Sequence, residues 1–193
     1  MSKAKKGLMA LSAAGFMLIA GFEGFSEFAY EPLPGDKPTI GFGHTEGVHL
    51  GDSISLEAGV QLLRRDAQIY ERAVNHYVTV PLKQCQFDAL VSFTYNVGID
   101  NFRASTLLQC VNQQNAACVN GQWMRWVYFK GEPVEGLRNR RKRELAVFNG
   151  EQVDMGDPDR VCFGSAGCIS FREALQESMR EPDSADYGGA ESS

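Results

Sequence analysis

The 193-residue chain holds only five cysteines and three histidines, and each scarcity removes a class of protein from consideration. Five cysteines are too few to frame a disulfide-stapled mini-protein. No Cys-x-x-Cys pair occurs and His44, His49 and His76 are scattered, so no metal site and no cofactor are expected. No run reaches the roughly 18 uninterrupted apolar residues of a confident transmembrane helix. No internal repeat is visible, and the sequence has no low-complexity tract before its last dozen residues. What remains is an ordinary globular composition, 44% hydrophobic and 22% charged, which permits a sizeable core and excludes wholesale disorder. The length fits one domain of about 150 residues plus an appendage, or one larger domain.

The formal net charge of −5 is unevenly spread. Residues 1–150 hold 16 Lys/Arg and 14 Asp/Glu, whereas residues 151–193 hold 3 and 10. The first part is therefore mildly basic and the second strongly acidic. The composition also shifts near Gly150 toward Gly, Asp, Ser and Pro. This divides the chain into a working domain, 1–150, and an acidic C-terminal extension, 151–193, whose last dozen residues are expected to be disordered.

Three lysines precede an apolar run of 16 residues, Gly7 to Phe22, that contains three glycines and a serine. A cleaved signal peptide, a signal-anchor and a buried helix all suit that pattern. The run is short for a span and flows into Glu23 without a linker, so the buried helix is the reading taken, with Ser12 as N-cap and Phe16, Ile19, Ala20 and Phe22–Phe25 inward. Between residues 28 and 45, Pro and Gly punctuate and the period changes to alternation, the pattern of a small β-hairpin. Beyond Gly51 the pattern is helical. A helix capped by Ser53 or Ser55 carries an apolar face of Leu56, Val60, Leu63, Ala67 and Tyr70. A second runs from Gln84 to Asn96 and closes at Gly98, and further segments fall at about 103–113, 115–129 and 137–149. The expected class is α+β, one small sheet followed by a helical body.

Glu23 lies between aromatics in Gly21-Phe22-Glu23-Gly24-Phe25. Apolar surroundings disfavour the charged carboxylate, and a carboxyl that keeps its proton near neutrality is what a general acid needs. The competing reading is a solvated Glu at a helix end. Asp36, in Pro34-Gly35-Asp36-Lys37, is ordinary turn chemistry, and Thr39 is ordinary in a strand. Together the three can line one cleft, and two carboxylates flanking a sugar bond is the general arrangement of glycosidases.

Phe22-Glu23-Gly24, Tyr30 and Thr39-Ile40-Gly41-Phe42-Gly43-His44-Thr45 resemble the phage-type lysozymes of glycoside hydrolase family 24. The resemblance continues through Gln86-Phe87-Asp88-Ala89-Leu90-Val91-Ser92-Phe93, Tyr95-Asn96-Val97-Gly98 and Phe102-Arg103-Ala104-Ser105-Thr106-Leu107-Leu108. It ends in Trp126-Val127, Gly136-Leu137, Arg140-Arg141 and Glu144, covering roughly residues 12–150. It implies a two-lobed lysozyme fold, with a small N-terminal sheet lobe and a mostly helical C-terminal lobe. It also implies inverting hydrolysis of the β-1,4 bond between N-acetylmuramic acid and N-acetylglucosamine in bacterial peptidoglycan. Glu23 is the implied acid. Asp36, with Thr39, is implied to hold a water or stabilise the charge developing at the anomeric carbon. The family spaces these residues Glu, eight residues, Asp, five residues, Thr, whereas here twelve residues separate Glu23 from Asp36 and two separate Asp36 from Thr39. Asp36 is the only Asp in the hairpin and is taken as the second carboxylate, with Glu31 as its rival. The resemblance further implies glycan contacts at Gly41, Asn96, Phe102 and Ser105, an approach of Arg140 to Glu23, and a structural pair of His44 with Asp66. Arg140 also reads as part of the solvated run Arg138–Arg143, and Trp123 and Trp126 read as core.

Cys110–Cys118 and Cys162–Cys168 have spacings that close short loops and leave Cys85 alone; the alternative is five free thiols. The leading function is that of an endolysin, made in the host cytoplasm and acting in the periplasm on the wall. Peptidoglycan is the expected partner, with no nucleic acid, no stable membrane span and a monomeric chain. The alternatives are a lytic transglycosylase using the same acid and a catalytically silent wall-binding or virion module.

Overall fold

The chain is described by a computed structural model covering residues 7–154 and 156–177. Helix α1 (Ala13–Glu23) starts where Ser12 accepts a bond from the Gly15 amide, as the sequence indicates. Residues Gly15 to Ala20 are buried all round, so α1 is a core helix. Its N-terminus is fastened to the body: the Ser12 amide and hydroxyl donate to the two oxygens of Asp88, at 3.1 and 2.5 Å. That approach requires glycine at position 15, where a Cβ would stand 2.7 Å from the Asp88 Cγ. Among the described residues no helix is long and apolar enough to cross a membrane.

Gly24, at φ 70°, ends α1 and turns the chain into β1 (Ser26–Tyr30). This strand pairs antiparallel with β2 (Thr39–Gly41), through Ser26↔Gly41 and Tyr30↔Thr39 with an irregular register between. Helix α2 (Leu56–Tyr77) follows, capped by Ser55, and buries Leu56, Val60, Leu63 and Ala67 along the expected face. Helix α3 (Gln84–Val97) is the centre of the molecule: Phe87 to Thr94 are all buried, and Gly98 closes it at φ 88°.

The helical segment expected at 103–113 is instead two short helices, α4 (Ile99–Ala104) and α5 (Thr106–Asn112). They break at Ser105, whose hydroxyl accepts from the Leu108 amide and so caps the second. The segment expected at 115–129 stops early as α6 (Ala116–Trp123). The chain then forms a hairpin of β3 (Tyr128–Phe129) and β4 (Glu132–Pro133), turned by Lys130 and Gly131 at positive φ. Helix α7 (Glu135–Phe148) packs on α3. The class is α+β, as expected.

Residues beyond Gly150 add further elements that pack on the core. Strands β5 (Val161–Cys162) and β6 (Cys168–Ile169) form a hairpin around a single 3₁₀ turn, and α8 (Phe171–Glu177) packs against α1 and α2. Phe171 is 0% exposed. Its ring lies 6.0 Å from Phe42 and 6.1 Å from Phe163, and Phe42 is 5.3 Å from Phe25. Asp157, Asp159 and Glu173 face solvent, while Phe163 and Phe171 complete an aromatic cluster with Phe25 and Phe42. The expected disorder of the last dozen residues lies outside the described residues. Disulfides join Cys110 to Cys118 and Cys162 to Cys168, and Cys85 is free.

Candidate active site

Glu23 is the last residue of α1, delivered to a cleft between the sheet and the helical body. Its Oε1 accepts from Arg140 Nη1 at 2.7 Å. The Arg140 side chain, only 6% exposed, lies with its guanidinium 4.9 Å from the Phe22 ring centroid. Glu23 itself is 23% exposed, so its free face reaches solvent. Arg140 therefore turns inward from the basic run that reads as solvated in the sequence. It is held there by Glu144, which accepts from Nε at 3.0 Å, and by the Ser92 carbonyl, which accepts from Nη2 at 3.2 Å.

The cavity beside Glu23 has a volume of about 360 Å³. Its walls bring Glu23 together with His44, Asp66, Tyr70, Tyr95 and Asn96. Gly43, at φ 92°, brings the chain after β2 past Glu23, and a Cβ there would sit 3.6 Å from Glu23 Oε2. His44 Nδ1 lies 2.8 Å from Asp66 Oδ2 and Nε2 lies 2.9 Å from the Glu46 carbonyl, which ties the sheet to α2. Burial pushes the Asp66 carboxyl above its ordinary range, and the His44 bond and charge partly offset this. The Tyr95 hydroxyl donates to the Phe42 carbonyl at 3.2 Å, and its ring lies 4.9 Å from that of Tyr70. Burial first, and the neighbouring carboxylates second, push both phenols above their ordinary range. They stay protonated donors across the physiological range. Asn96 is exposed and accepts from Arg141 Nη2 at 2.9 Å, so its amide hydrogens remain for a ligand.

Other expected site residues lie elsewhere. Asp36 is exposed on the β1–β2 loop, its amide bonded to the Leu33 carbonyl at 2.9 Å, and it does not line this cavity. Glu31 is exposed on the same loop, and its carboxylate accepts from the Gly35 amide at 3.4 Å. Thr39 is buried at the start of β2 and donates to the Lys37 carbonyl at 3.2 Å. Gly41 is buried on β2 where the chain faces Gly59 of α2. Phe102 is a correction: its side chain is 0% exposed and packs edge-on to Phe93, so its ring serves the core and has no surface to offer a glycan. Ser105 caps α5 and lines a separate cavity of about 390 Å³ with Gln122, Arg125 and Trp126. Trp123 is core as expected, hydrogen-bonded to Glu144, whereas Trp126 reaches this second cavity. In the sequence Tyr70 is legible only as an apolar position on its helix, and Tyr95 only as a motif position. The signal that separates them from core phenylalanines is a hydroxyl that must find a partner.

The family model described as Phage lysozyme matches residues 20–144, which span the cleft from α1 to Glu144. The chain belongs to the phage lysozyme family. Phage lysozymes and their kin share both its sequence and its fold. It is 39% identical over 160 residues to an endolysin of Bacillus phage PZA, an alignment covering 82% of this chain and 60% of that protein. The chain thus spans less than two thirds of that relative's length. Among solved structures, an endolysin from Escherichia coli O157:H7 phage FAHEc1 superposes with a TM-score of 0.68 at 37% identity, covering 74% of this chain and 95% of that one. The muramidase domain of SpmX from Asticaccaulis excentricus does so with the same TM-score and identity, covering 72% and 97%.

Proposed function

We propose that the chain is a peptidoglycan muramidase, an endolysin that hydrolyses the β-1,4 bond between N-acetylmuramic acid and N-acetylglucosamine and so lyses the host cell. The observation that carries this reading is Glu23: a half-shielded carboxyl at the mouth of the cleft, paired at 2.7 Å with a buried arginine, within the segment that matches the family. The similarity to a muramidase domain along nearly the whole of that domain supports it.

Glu23 acts as the general acid and protonates the leaving glycosidic oxygen. Arg140 stabilises the carboxylate that the transfer leaves behind. The phenols of Tyr70 and Tyr95 and the amide of Asn96 give the adjacent cavity a wall that suits a sugar ring and its hydroxyls. Asp36, supported by Thr39, activates the water on the opposite face. Inversion asks for a carboxyl separation of roughly 6.5–9.5 Å. Asp36 is exposed in the free protein, so its part in the reaction requires the bound glycan to bring the β1–β2 loop to it. His44 and Asp66 hold the sheet against α2. The enzyme is made in the host cytoplasm and works on the wall in the periplasm, without a stable membrane span.

Mass spectrometry of the products from purified peptidoglycan tests the reaction class. Hydrolysis leaves hydrated reducing N-acetylmuramic ends. Anhydro ends, or no cleavage at all, would overturn the proposal.

A further inference from the structure

We infer that Glu144 is a positioning residue that sets the pH range of the Glu23 acid through Arg140. The inference rests on the reading of Glu23 as general acid. Glu144 is 0% exposed and lies one helical turn beyond Arg140 on α7. Its Oε1 accepts from Arg140 Nε at 3.0 Å, Ser92 Oγ at 2.8 Å and Arg141 Nη2 at 3.2 Å. Its Oε2 accepts from Trp123 Nε1 at 3.3 Å and stands 3.0 Å from Arg141 Nε. Two buried guanidinium groups thus share one carboxylate, and the trio carries a single excess positive charge. Arg141 is pushed down to about 10 by burial and by Arg140, against the pull of Glu144, so it stays charged at neutrality.

The geometry links the trio to the acid: the Arg140 guanidinium that Glu144 holds also stands 2.7 Å from the Glu23 carboxyl, which as general acid must keep its proton until the glycosidic oxygen is in place. Glu144 takes part of the attraction of Arg140 for itself, and Arg141 takes part of Glu144 away again. The pull on Glu23 is therefore set by how one buried carboxylate is divided between two arginines. Other groups also face Glu23: Tyr95 from α3, Tyr70 and Asp66 from α2, and His44 and Glu46 after β2. These are the same in the variants below, so a shift between variants reports the charge of the Arg140–Glu144–Arg141 trio.

The test is the pH dependence of kcat/KM on soluble, uncrosslinked peptidoglycan strands, with folding checked by thermal melting. Activity of a general acid is lost as pH rises through its ionisation, so the alkaline limb reports the acid. Glu144→Gln frees the full charge of Arg140 for Glu23 and moves that limb to lower pH, by roughly one unit. Arg141→Met leaves Glu144 wholly to Arg140 and moves the limb the other way. The double variant Glu144→Gln/Arg141→Met restores the excess charge of one and returns the limb toward the wild-type position. Should Glu144→Gln not fold, Arg141→Met and the double variant carry the test. Folded variants whose limbs stay in place, or all move in one direction, overturn the inference, because loss of packing alone gives no opposed shifts. Glu23→Gln runs alongside. If it keeps activity, the acid assignment itself fails. If it is inactive while the limbs of the other variants do not move, only the role of Glu144 fails.

Discussion

Truncating Phe171 to Ala tests whether residues beyond Gly150 belong to the folded core. The ring is 0% exposed and sits within 6.1 Å, centroid to centroid, of Phe42 and Phe163. It also packs beside Ala174 and Leu175, which are nearly as buried. Removing a fully buried phenylalanine costs about 3–5 kcal/mol, the transfer free energy of the ring plus that of the cavity left behind. For a chain of this size the loss corresponds to a melting temperature lower by roughly 6–20 °C. Urea unfolding followed by tryptophan fluorescence measures it directly. Phe42 immediately precedes Gly43, which passes Glu23, so the same substitution loosens the floor of the cleft and lowers peptidoglycan clearing at temperatures where the variant is still folded. A loss below about 1 kcal/mol would refute the reasoning. It would mean that the segment from Val161 to Glu177 rests on the surface and adds nothing to the core.

Three further outcomes follow from local geometry. Gly15→Ala places a Cβ 2.6 Å from Leu11 Cδ2 and 2.7 Å from Asp88 Cγ, so it destabilises by about 1–3 kcal/mol in the same unfolding assay. Burial pushes the Asp88 carboxyl above its usual range, against the pull of the bonds from Ser12 and Gln84. The folded state therefore holds that proton more tightly than the unfolded one, and the wild-type stability relative to Asp88→Asn falls as pH rises from the ordinary aspartate value upward, measured by urea titration across that range. Thiol counting in denaturant gives one reactive cysteine of five, Cys85, in protein purified without reductant.

Much of the framework is legible in the sequence because local signals and packing agree. Ser12 and Ser55 start helices, Gly98 ends one, and the apolar spacing of Leu56, Val60, Leu63 and Ala67 marks a buried face. Where the reading falls short, a local signal was weaker than the average around it. Ser105-Thr106 opens a new helix inside an apolar stretch, and Lys130-Gly131 turns a hairpin where helical spacing had not yet faded. In the C-terminal segment, Phe171, Ala174 and Leu175 stand at helical i, i+3 and i+4 spacing, but the surrounding acidic residues dominate any composition window. The site divides the same way. Glu23 is singled out by its aromatic neighbours. The inward turn of Arg140 and Arg141 is hidden, because a run of five basic residues gives no sign of which members find a buried anion. Their spacing to Glu144 was the available clue. Phe102 stands in the family motif yet points into the core, because a motif position says nothing about which way a ring points. The position of Asp36 depends on the path of an exposed loop, on which local periodicity is silent.

The most direct measurement of the central claim is the rate of reducing-end release from purified peptidoglycan by Glu23→Gln beside the wild-type protein, with melting curves for both. The account predicts a folded variant whose rate falls by about 10²–10⁴-fold or more, since the amide keeps the shape but has no proton to give. A folded Glu23→Gln protein that clears peptidoglycan within a few-fold of wild type would contradict it.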